Sequence, residues 1–115
     1  MRALSIQVQP GRASGIDMSR VAAEFERILT IDGLVAHHDF NHGDDRGAYF
    51  NYTFGTTRPG ELWRTIQERI YRSPELGSHM QLASMAMCSS EEGWDTYLLL
   101  HHFDPAVTLD DATAL

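Results

Sequence analysis

The chain has 115 residues, enough for one domain that buries roughly two thirds of its unfolded surface without disulfide or metal staples. Sixteen carboxylates against nine arginines, with no lysine, give a formal charge of −7, which disfavours nucleic acid as a partner and excludes Schiff-base and phosphate-loop lysine chemistry. One cysteine, Cys88, leaves no internal disulfide framework and no multi-cysteine zinc site, and no stretch reaches the ~20 apolar residues of a membrane helix, so a cytoplasmic protein without a membrane partner is expected.

Leu4, Ile6 and Val8 alternate with Ser5, Gln7 and Gln9, the period of two that predicts a half-buried strand over Ala3 to Gln9. Pro10, Gly11, Ser14 and Gly15 break it. Asp17 or Ser19 then caps a helix whose Met18, Val21, Ala22, Phe25, Ile28 and Leu29 recur at helical spacing until Gly33 ends it. A second strand is expected from Leu34 to about Phe40 and a loop over Asn41 to Arg46. A third strand follows with Ala48, Phe50, Tyr52 and Phe54 on its apolar face, and the two strands pair as a hairpin. Pro59 suits the first turn of a second helix carrying Leu62, Trp63, Ile66 and Ile70, and Ser73-Pro74 closes it or starts a short extra turn reaching Gly77. Ala83 to Ser89 reads as a fourth strand and Trp94 to Phe103 as a fifth, with a helical Leu82 to Met87 as the alternative. Residues 1–104 then form a single α+β domain, and residues 105–115 a flexible acidic tail.

Strand, helix, strand, strand, helix, strand is the split βαβ order of ferredoxin-like domains, βαββαβ, here with an added C-terminal strand. It predicts an antiparallel sheet, ordered fifth, fourth, first, third, second, with two helices on one face. The other face would carry Ser5, Gln7, Gln9, Val35, His37, Asp39, Tyr49, Asn51 and Thr53, a polar surface with few charges.

Two segments echo each other: Leu34 to Phe40 and Leu98 to Asp104 each close an apolar run with paired histidines, a Phe and an Asp, and together they hold four of the six histidines. A zinc ion needs its ligands ~2.0 to 2.1 Å away, whereas the predicted strand order sets the two pairs on opposite edges, four strand spacings or ~19 Å apart. Adjacent strand residues also point to opposite faces, so His38 should follow Leu34, Ala36 and Phe40 toward the helices while His37, Asp39 and His101 look out. His37, Asp39, His42 and His101 are the weak metal candidates, with Asp44 and Asp45 able to join the first three through the loop; no metal or other cofactor is expected. Asp39, Asn41 and Gly43 resemble a calcium loop, but Phe50 stands where the late bidentate Glu is required.

Catalytic signals are sparse. Gly11 to Gly15 lacks the order of a nucleophile elbow, and Cys88 among Met85, Ala86 and Met87 reads as buried and inert. His37 with Asp39, oriented by Tyr49 or Asn51, is the remaining acid-base candidate. Glu91, Glu92, Trp94 and Asp95 form an acidic, aromatic edge suited to a protein partner. Binding is favoured over catalysis: a small interaction domain, homodimeric or joined to another protein, with the neutralisation of a partner by bacterial immunity proteins an analogy in size and charge. The alternative is a small dimeric ferredoxin-like enzyme or ligand- or metal-binding protein using His37 and Asp39 on the open sheet face.

Overall fold

Leu4, Ile6 and Val8 are completely buried along one side of β1 (Arg2–Val8), and their alternates remain partly open, as the period of two requires. The computed structural model describes residues 1–115. Around β1 it sets β3 (Ala48–Thr56) on one side and β4 (Ser84–Ser90) on the other, with β2 (His37–Asp44) and β5 (Gly93–His101) at the edges. Every pairing is antiparallel, in the strand order expected. The result is an α+β fold consistent with a ferredoxin-like arrangement, carrying elements beyond the simple core.

Three helices cover one face of this sheet. The first, α1 (Met18–Leu29), starts where the Asp17 carboxylate accepts from the Arg20 N–H, and it buries Val21, Phe25 and Ile28. Phe25 stacks on Tyr52 at 4.4 Å between ring centres and meets Phe54 at 5.5 Å, which ties the helix to β3. The second, α2 (Pro59–Ile66), begins with proline and widens into a single π turn over Gln67–Tyr71, bringing Ile70 and Tyr71 into the core. Two helices were expected and a third is present: α3 (Gly77–Ala83), short, with Met80 and Ala83 buried. Its lone apolar turn is too brief for a periodic signal; Gly77 lets it approach the Tyr71 carbonyl, which a Cβ would overlap, and Met80 and Ala83 anchor it in the core.

The second strand lies three residues later than Leu34. Leu34 is anchored in the core with its carbonyl accepting from Thr56 Oγ1 at 2.7 Å, so pairing begins only at His37, and it runs on through the polar Asn41, His42, Gly43 and Asp44. The expected loop therefore shrinks to a tight turn in which Arg46 takes φ 60° and Gly47 φ 147°. No helix in the chain is long and apolar enough to cross a membrane. Residues 105–115 run beside β5: the Asp110 N–H donates to the Leu99 carbonyl at 2.9 Å, the Leu99 N–H to the Asp110 carboxylate at 2.7 Å, and Leu115 packs against the core.

Candidate functional site

The face of the sheet away from the helices is built by the alternate residues of each strand, and on β1, β3 and β2 these include the amides Gln7, Asn51 and Asn41. Register aligns Gln7 with Asn51 and Asn51 with Asn41. Arg12 Nε donates to Gln9 Oε1 at 2.5 Å, Gln9 Nε2 to Gln7 Oε1 at 2.8 Å, and Gln7 Nε2 to Asn51 Oδ1 at 3.0 Å. Asn51 Nδ2 then donates to Asn41 Oδ1 at 3.0 Å, and Asn41 Nδ2 to Asp39 Oδ2 at 3.3 Å. A guanidinium can only donate and an ionised carboxylate can only accept, so the two ends fix every amide between them in one orientation. Dipoles aligned head to tail polarise one another, and each amide keeps a further N–H and lone pair for an incoming group.

At the Arg12 end the chain opens into a cavity of about 700 Å³ between the turn after β1 and the β2–β3 turn, lined by Gln7, Gln9, Arg12, Arg46, Tyr49 and Asn51 among others. The Arg12 guanidinium lies 3.7 Å over the Phe103 ring, a cation–π contact. Tyr49 lies across Gly43, where a Cβ would overlap its hydroxyl, and His37 lies across Gly55 in the same way. These two aromatic-over-glycine pairs close the two ends of the β2–β3 hairpin.

The candidates for acid-base chemistry do not converge. His37 and Asp39 share the open face two residues apart, but Tyr49 pairs with Gly43, six residues or ~20 Å along the strand from His37. The metal candidates are divided further. His42 is on the helix side of β2 beside Phe50, at 5.9 Å between ring centres, because residues 41–44 continue the strand and cannot fold back. No three His, Cys, Asp or Glu side chains are grouped as a metal site.

His101 was expected to face outward and does not. A bulge between Ala86 and Met87 gives them His101 and Leu99 as partners, so the strand skips Leu100 and His101 pairs with core residue Ala86. Its ring sits 4.8 Å from that of Tyr71 and its Nε2–H donates to the Gln81 carbonyl at 3.1 Å; burial is the main cause that holds its pKa below the ordinary value. His38, expected to lean on the helices, is exposed because no helix reaches over the edge strand. Cys88 is fully buried and burial raises its thiol pKa, leaving no nucleophile there. Glu91, Glu92, Trp94 and Asp95 all sit at the β4–β5 hairpin end, with Trp94 45 % exposed.

Sequence alternation found Gln7, Gln9 and Asn51 on the open face but missed Asn41 and Arg12, both of which it placed in loops. The usable signal was the period of two, which reaches Gln7 and Gln9 but not Arg12 in the turn beyond β1. No protein-family model, no curated protein and no solved structure matches this chain.

Proposed function

We propose that the protein is a non-catalytic binding domain that works through the open face of its sheet and is completed there by a second copy of itself. The observation that carries this reading is the division of that face. Beside the amide half lies an apolar half: Met85 and Met87 pair with Gln7 and Ser5, Leu99 pairs with Met87, and Tyr97, next to core-facing Leu98, is 47 % exposed. All three helices cover the opposite side, so on this one Met85, Met87 and Leu99 are only half-buried and Tyr97 is exposed.

The dimensions are adequate. Five strands ~4.8 Å apart and about seven residues of ~3.3 Å rise give a plane on the order of 550 Å², which side-chain relief brings toward the ~800 Å² per partner of a standard interface. Asp39 is the one carboxylate within the amide chain and it already accepts from Asn41, so two faces can meet without stacking the excess negative charge. A C2 pairing sets the same patch against itself. The test is sedimentation of the wild type and of Met87→Glu at micromolar concentration. A wild-type dimer that the variant converts to a folded monomer is expected; a monomeric wild type overturns the reading.

A second reading is favoured by the exposure of Trp94 beside Glu91, Glu92 and Asp95: the β4–β5 end as a contact for a basic protein surface.

A further inference from the structure

We propose that the cavity at the Arg12 end of the amide chain binds a small polar carboxylate, a molecule with one carboxylate on a body rich in hydroxyl or amide groups. Ligand cavities are usually lined by apolar side chains. This one has Ala48 and Tyr49 as its only apolar lining, and Gln7, Gln9 and Asn51 offer it spare amide donors and acceptors. A polar body fits that lining and an apolar one does not.

The carboxylate is assigned by Arg12. Its Nε is committed to Gln9 and its planar face to Phe103, which fixes the side chain from two directions. Its two terminal nitrogens make no hydrogen bond or ion pair within the chain, leaving the forked edge that takes a carboxylate bidentately. Arg46 stands on the opposite turn, and Asp45 is the only carboxylate on the lining, so the cavity carries +1 (two arginines less one aspartate) in a chain of −7. Gly11 and Gly47 leave open space where side chains would stand.

The cavity is complete within one chain and does not depend on pairing of the sheets. The experiment follows the side-chain amide signals of the ¹⁵N-labelled protein by NMR, with D-glucuronate and N-acetylglutamine as probes. D-Glucose supplies the polar body without the carboxylate, and acetate the carboxylate without the body. Saturable shifts at Gln7, Gln9 and Asn51 are expected for at least one of the two probes, with a dissociation constant of ~1 mM or tighter and at least ~10-fold weaker binding of glucose and acetate. Arg12→Gln should weaken binding at least ~10-fold, as loss of a charged hydrogen-bonding partner implies. Gly11→Phe, at a position without positive φ and with nothing within 4 Å of its Cβ, should abolish binding by filling the space with the backbone spectrum intact.

Absence of shifts with both probes at ~10 mM, binding unchanged in Arg12→Gln, or glucose or acetate binding as tightly as the probes overturns the proposal. Repeating the titration on Met87→Glu separates the two readings. Binding retained in a monomer leaves this site standing without the dimer, and a dimer without binding does the reverse.

Discussion

His101 joins the last strand to the helix layer, and it does so as a neutral imidazole. The Gln81 carbonyl can only accept, so Nε2 carries the proton, and burial against Tyr71 opposes a second one. Desolvation, then the charge of His102, lower the pKa from its ordinary 6.5, against the hydrogen bond to Gln81, which raises it. Because the folded value is the lower one, the unfolded chain takes up the proton first as pH falls. The stability tied to this residue is therefore complete above 6.5 and is lost as pH drops through that value toward the folded one. Thermal melts between about pH 7.5 and about pH 5 should show a falling Tm that is shallower in His101→Gln, which keeps a donor but does not titrate. Identical slopes would remove His101 as the cause. Glycines give a second residue-scale contrast. A Cβ on Gly77 meets the Tyr71 backbone, which cannot move without shifting the π turn, so Gly77→Ala should cost about 1–3 kcal/mol in denaturant unfolding. A Cβ on Gly55 meets only the exposed ring of His37, which can swing away, and Gly55→Ala should stay within about 0.5 kcal/mol. Equal costs would show that the two overlaps are not distinguished by what must move.

Among the elements, those with a strong period were legible. β1 was expected within one residue of where it stands, and α1 begins at its expected Asp17 cap but ends at Leu29, short of Gly33; Leu4, Ile6 and Val8 and the Val21, Phe25, Ile28 stripe each commit one face to the core. β4 was correctly preferred as a strand: its Ala86 and Cys88 are buried against Leu4 and Ile6 while Met85 and Met87 are not, a period of two. β2 was misplaced because its residues carry almost no apolar information. Asn41, His42, Gly43 and Asp44 are held in a strand by their partners on β3, and partners are not visible in local composition. The same limit hid part of the candidate surface. Of the amide chain's four amides, Gln7 lies on β1 and Gln9 just past its end, where the alternation announced both. Asn41 became part of it only through cross-strand register, and Arg12 only through a loop geometry that no period encodes. His101 was turned the wrong way by one bulge, which reverses alternation beyond it.

For the molecule as a whole, charge separates the two ways it could meet a partner. The net −7 is carried mostly away from the open face, on helix surfaces, turns and the segment after β5, whereas Glu91, Glu92 and Asp95 concentrate three carboxylates at the β4–β5 end around Trp94. Association through the Met85, Met87, Tyr97 and Leu99 patch buries apolar area, so it should hold or tighten as salt rises, because added ions screen the general repulsion between two negatively charged copies. Association through the acidic end with a basic surface should weaken under the same change, since the Debye length falls from ~10 Å at 0.1 M to ~3 Å at 1 M. The dimer constant, measured by sedimentation across that range, is expected not to weaken, and Trp94→Ala should leave both it and the Tm nearly unchanged, because Trp94 is 45 % exposed and lies outside the core cluster. A constant that collapses with salt, or with Trp94→Ala alone, would transfer the working surface from the sheet face to the hairpin end. Such a transfer would leave the amide chain and its cavity facing open solvent, free to act without a second copy.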